Sequence, residues 1–166
     1  MSSDDNRTDD DRTNAMGLLN FAHSYWEAAV VLHNSPRLAT HRDSPCDYLF
    51  YHAIELYLKA YLRLKGLTLE QLKEQGHSLQ RLHNAAVREG LTDDPEDRDV
   101  ICAIRDNYMS ARYIRTGYFS RPSPEALWGV CRVLHGDIEP VVNAAWNVKR
   151  TRHIPYIVDP AEQDEP

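Results

Sequence analysis

Five residues, Tyr48, His52, Glu55, Lys59 and Arg63, recur at spacings of four, three, four and four. On a helix that spacing gathers them along one face. The stretch around them, residues 51–66, is otherwise almost entirely apolar. A Glu one turn ahead of a Lys makes an orientation-favoured ion pair. Once buried, such a pair needs further hydrogen bonds to offset its desolvation. Two readings follow from this stripe. It is an intrahelical pair that orders the interior, or it lines a central cleft where charge is put to use. His77 stands just before a Ser78 helix cap, where it would hold the turn. His52, Glu55, Lys59 and His77 are therefore the cleft-lining or structural candidates.

A second concentration lies further along. Arg98, Arg105, Arg112 and Arg115 recur near one helical face, with Tyr108, Tyr113 and Tyr118 among them. A guanidinium can grip a phosphate through its planar fork, and a tyrosine can stack on a base. The candidate ligand-binding residues are thus Arg112, with Arg105 and Arg115, and Tyr113, Tyr118 and Tyr108. The same residues would equally serve ion pairs with Glu55, Asp99 or Asp106, or an interface between subunits.

Other chemistries find little support. Eight histidines are present, but none stands in an H-x3-H or H-E-x-x-H arrangement, so no metal site is expected. There is no G-x-S-x-G nucleophile turn and no Gly-rich phosphate loop, and no cofactor is expected. Net charge is −6, with five Asp and two Arg in residues 1–13 and four acids against one Arg in residues 151–166. The middle of the chain is therefore neutral. Broad, sequence-independent nucleic-acid binding, which needs a basic surface, is disfavoured, while a local basic patch is not. Cys46, Cys102 and Cys131 are dispersed, as for reduced thiols in the cytoplasm. No apolar run is long enough to cross a membrane and the N-terminus does not read as a secretory signal.

The elements that must position these residues all read as helices. Residues 1–13 are too polar to fold and are expected to be disordered. Asn14 caps a first helix with a stripe of Leu18, Phe21, Ala22, Tyr25, Ala28/Ala29 and Leu32, ending before Pro36. Ser44 caps the second, with Pro45 at its first position and Gly66 at its end. Thr68 and Gln71 form a capping-box pair for a short turn of helix. Further helices run from Ser78 to Arg88, over about residues 96–112, and from Ser123 onward. The last carries Leu127, Val130/Cys131, Leu134, Ile138, Val141 and Ala145 on its apolar side, and Pro140 predicts a kink or break near 136–140. Residues 113–121 are a connector, and the apolar patch in residues 153–158 suggests a tail strapped onto the domain. The expected architecture is all-α: an up-and-down bundle of five to six helices over residues 14–148, with tails at 1–13 and 149–166.

Three pieces of this sequence, in order, resemble the HEPN domain family. They are the aromatic-x-Ala-Ile-Glu-x-x-x-Lys core at Tyr51, Ala53, Ile54, Glu55 and Lys59; the Gly-His-x-Leu-x-x-Leu pattern at Gly76, His77, Leu79 and Leu82; and Tyr-x-x-x-Arg-Tyr at Tyr108, Arg112 and Tyr113. The resemblance implies a helical homodimer and a link to nucleotides or RNA. Catalytic relatives carry an Arg followed by a His after four to six residues and cleave RNA without a metal. Here five residues separate Arg112 from Tyr118, and no Arg in the chain has a His at the required spacing. A tyrosine, with an ordinary pKa near 10, is a poor base at neutral pH. The resemblance therefore points to a non-catalytic, nucleotide- or RNA-binding homodimer. The alternatives it leaves are a divergent metal-independent RNase toxin, and a protein partner of a nucleotidyltransferase in a toxin–antitoxin pair.

Overall fold

The computed structural model describes residues 13–36, 41, 43–104 and 121–158. Six helices occur among them and no strand: α1 (Ala15–Asn34), α2 (Ser44–Leu64), α3 (Leu69–Gln75), α4 (Leu79–Arg88), α5 (Pro95–Ile104) and α6 (Pro124–Ala145). Three regions with expectations attached lie outside the described residues. These are the acidic N-terminal stretch up to residue 12, residues 105–120, where the sequence predicts the end of a helix and the Arg/Tyr connector, and the last eight residues.

Helix α2 is the axis of the fold. It packs against α1, α6, α4 and α3, and twelve of its 21 residues are buried. A helix that is apolar around most of its circumference belongs inside a core, and Phe50, Ile54, Tyr57, Leu58 and Leu62 are all fully buried. The apolar circumference of this helix is therefore largely used within the chain.

The local stop and start signals are mostly those of the sequence. Asn14 Oδ1 accepts from the Gly17 N–H at 2.9 Å. Thr68 and Gln71 complete a reciprocal capping box at 3.2 and 2.8 Å. Ser78 and Ser123 cap α4 and α6 through Arg81 N and Ala126 N. Gly66 and Gly90 end α2 and α4 with φ of 100° and 97°, a conformation that costs glycine nothing. In both cases the next residue donates back five positions, Leu67 to Leu62 and Leu91 to Ala86, which satisfies carbonyls the helix leaves open.

Four expectations are corrected. Helix α2 starts one residue early, at Ser44, and its cap residue Asp43 makes no side-chain cap bond. Its carboxylate is committed to Arg121 Nη2 at 2.7 Å instead. The inner stripe of α1 is Leu19, Ala22, His23, Trp26, Ala29 and Val30, rotated from the one expected, and Phe21 is 62% exposed. The α1 sequence holds two apolar stripes, and the one bearing the larger side chain, Trp26, takes the core. Helix α6 is unbroken through Pro140. Pro140 and Gly136, the residue whose carbonyl loses its partner, both face solvent, so water can serve that carbonyl. Finally, the buried stripe of α6 passes from Ile138 to Val142, leaving Val141 and Ala145 exposed.

Candidate functional site

The α2 stripe is anchored at Glu55. Its carboxylate is buried, at 2% exposure, and three nitrogen-bearing side chains converge on it. Lys59, one turn along α2, donates to Glu55 Oε1 at 2.5 Å. His77 reaches the same oxygen through Nδ1 at 2.9 Å. His52, three residues before Glu55, places Nδ1 3.8 Å from Oε2. The local sequence explains the convergence. Spacings of three and four put His52, Glu55 and Lys59 on one face. Helix α3 and the positive-φ Gly76 then turn the chain so that His77, the residue before the Ser78 cap, comes back over α2.

Exposure is graded outward from this carboxylate. Lys59 and His52 are partly buried, and the His77 side chain is 48% exposed. The His52 ring stacks on Tyr48 with centroids 5.9 Å apart and meets Tyr25 of α1 edge-on at 4.4 Å. An aromatic run from α1 and α2 thus borders an ammonium and two imidazoles held by one acid. Such a surface can offer donors to an anion and flat faces to a base.

The structure brings His52, Glu55, Lys59 and His77 together. It does not extend the site to Arg63, which donates to the backbone carbonyls of Thr13 at 3.0 Å and Leu67 at 2.8 Å and so ties the end of α2 to its neighbours. Arg98 forms a largely exposed pair with Asp93 at 2.6 Å. Arg105, Tyr108, Arg112, Tyr113, Arg115 and Tyr118 lie outside the described residues.

A second polar cluster was not anticipated. His135 and Glu139, one turn apart on α6, are both buried, with Nε2 of the imidazole donating to Oε2 at 3.1 Å. The His135 Nδ1 accepts from the Tyr57 hydroxyl at 3.2 Å. Glu139 Oε1 accepts from the Arg152 backbone N–H at 2.9 Å and its Nη1 at 2.8 Å. Burial pushes the His135 pKa below the usual histidine value, with Glu139 opposing and His23 and Arg152 assisting. The neutral ring fits the two bonds it makes. The i, i+4 spacing of His135 and Glu139 was the available signal. Arg152 could not be assigned to it without the path of the C-terminal segment.

At the start of α5, burial and the nearby Asp94, Asp137 and Glu96 raise the Asp97 carboxyl to about 6, against a partial counterweight from Arg132. The folded-state pKa lies above the unfolded one. The favourable contribution is therefore complete below about pH 3.9 and is lost as pH rises through about 6. Asp97→Asn is accordingly expected to stabilise the protein at pH 7. A shift of this size corresponds to at most ~3 kcal/mol, and screening at this half-exposed position lowers the expected gain to about 1 kcal/mol. Thermal melts should show a rise of about 2–4 °C at pH 7 that disappears near pH 3.5. A gain of equal size at both pH values would contradict this origin.

Among the described residues no group of three or more His, Cys, Asp or Glu side chains could hold a metal ion, and no helix is long and apolar enough to cross a membrane. With the helices and the Glu55 cluster in view, comparison with known proteins is decisive for the family. The sequence model of the HEPN domain matches residues 38–145, well over half of the chain. The chain belongs to the HEPN domain family. Neither a curated protein nor a solved structure matches it. The HEPN match takes in α2 to α6 and the whole Glu55 cluster, while α1 and the segment after α6 fall outside it.

Proposed function

We propose that this HEPN domain binds a nucleotide or RNA element as a non-catalytic homodimer, at a surface organised by Glu55. The observation that carries the reading is the convergence of Lys59 and His77 on one buried carboxylate, beside the Tyr48–His52–Tyr25 aromatic run. Glu55 orients the two nitrogen groups, and the rings offer stacking faces. Arg112, with Arg105 and Arg115, supplies further positive charge for the phosphates. Tyr113, Tyr118 and Tyr108 supply additional aromatic contacts.

Fluorescence anisotropy with labelled nucleotides and short single-stranded RNAs tests this directly. Arg112→Ala should weaken binding by roughly 1.5–3 kcal/mol, the range for hydrogen bonds to charged groups, with the melting temperature unchanged. A destabilised Arg112→Ala with unaltered affinity would make that arginine a structural partner and remove it from the site.

The Glu55–His77 contact favours one second reading. A carboxylate-oriented imidazole is also the arrangement of acid–base catalysis. Cleavage of RNA by the purified protein, abolished in His77→Ala, would replace the binding role with that of a divergent metal-independent RNase. Failure to bind any nucleotide or RNA, together with stable complex formation with a nucleotidyltransferase, would favour the interaction-partner role.

A further inference from the structure

The segment after α6 runs as extended chain in the groove between α1 and α6. Helix α6 ends at Ala145, and a turn with Asn147 at φ 52° sends the chain back along α6. Over residues 150–158 it keeps one direction. Its start meets Asn143 and Glu139, its middle His23, and its end Trp128 and Asn34.

How it is held is informative. Six of its backbone polar groups are bonded by side chains of the folded helices. His23 Nε2 donates to the His153 carbonyl at 2.8 Å and Trp128 Nε1 to that of Pro155 at 2.7 Å. The Asn34 amide holds the chain with both ends, donating to Tyr156 O at 2.9 Å and accepting from Val158 N at 3.0 Å. Asn143 donates to Arg150 O at 3.3 Å and Glu139 accepts from Arg152 N at 2.9 Å. Side chains reading a peptide backbone along its length set direction and extension without fixing sequence. Sequence is read at two points. The Arg152 guanidinium enters between Glu139 and Asn20, and Pro155 is buried. The other side chains count for less: His153 and Ile154 are exposed, and Tyr156 is 70% exposed, with its ring near Trp128.

We propose that the α1/α6 groove is a recognition site for an extended peptide with an Arg and a Pro three residues later, and that residues 150–158 fill it in cis. The occupant it admits in trans is a partner protein presenting such a segment. Three features make the groove a site and the strap a removable occupant. Its polar side chains stand on two helices that pack against each other directly. Glu139, Asn143 and His23 are buried side chains that call for a polar partner, as a peptide backbone provides. The strap itself buries little, since Pro155 is its one buried residue and Ile157 packs only partly buried against the core, so its hold rests mainly on hydrogen bonds of modest net worth. The cis segment competes at an effective concentration on the order of millimolar, so a free peptide gains access only when the strap is weakened.

The test uses the full chain and a fluorescent peptide with the sequence of residues 150–158. Binding to the wild type should be weak. Arg152→Ala, which loosens the strap and leaves the groove intact, should bind the peptide at least about tenfold more tightly. Adding Asn34→Ala to that variant should cost about tenfold, the loss of its two hydrogen bonds. Should Arg152→Ala fail to fold by circular dichroism, Val158→Pro serves instead, since it removes the N–H that donates to Asn34 and restricts the strap's backbone while leaving every groove residue in place. A folded strap variant that binds no better than the wild type, or binding indifferent to Asn34→Ala, would overturn the proposal.

Discussion

Glu55→Ala is expected to cost roughly 3 kcal/mol of stability, the lower end of the range for removing one partner of a buried ion pair. The carboxylate is fully enclosed, while Lys59 and His77 keep some access to solvent. After the substitution they can turn part-way to water, which limits the loss. Glu55→Gln should cost less, because its carbonyl oxygen still accepts from both nitrogens at reduced strength. The double variant Glu55→Ala/Lys59→Met should recover part of the loss, since it no longer strands an ammonium beside a cavity. Urea unfolding of the three variants measures this. A Glu55→Ala loss below about 1 kcal/mol, the value of a surface pair, would mean that the carboxylate does not organise the cluster.

Trp26→Ala should be the most destabilising single change, at about 4 kcal/mol. Trp26 has 0% exposure and sits at the junction of α1, α2 and α6. Its ring centroid is 6.3 Å from that of Tyr57, 5.5 Å from that of His135 and 6.5 Å from that of Trp128. Removing it opens a cavity that rigid helices cannot collapse. Trp26→Phe should cost less than its lost volume suggests. The indole N–H is buried and has no hydrogen-bond partner among the described residues, so phenylalanine also removes an unsatisfied donor. Equal losses for Ala and Phe, measured by thermal and urea unfolding, would contradict the cavity account.

Trp26 also shows where sequence reasoning reached its limit. Leu18, Phe21, Tyr25 and Leu32 are as periodic as Leu19, Ala22, Trp26 and Val30, and only the packing of α1 on α2 and α6 chooses between them. Signals that act within a few residues were readable. Asn14, the Thr68–Gln71 box, Ser78 and Ser123 terminate helices through bonds spanning three positions. The apolar circumference of α2 foretold its central place. Pro140 misled because its effect depends on whether the released carbonyl meets core or water.

The same division holds for the site. The Glu55–Lys59 pair is an i, i+4 contact and was legible. The approach of His77 to Glu55 depends on how α3 and Gly76 fold back, which no spacing rule encodes. The Glu139–Arg152 bond depends on a strap that turns at Asn147 and runs the length of α6. Residues 105–118 stand out by composition alone: their arginines and tyrosines mark a chemistry without placing it.

In the proposed function the Glu55 cluster is the surface where an anionic nucleotide or RNA docks. Its most direct test is a titration of the full-length protein with a short single-stranded RNA, followed by NMR of the histidine side chains. The expected result is shifts at the His52 and His77 imidazoles that saturate together and disappear in Lys59→Ala, with His23 and His135 unmoved. Saturable binding that shifts His23 and His135 while leaving His52 and His77 in place would contradict it.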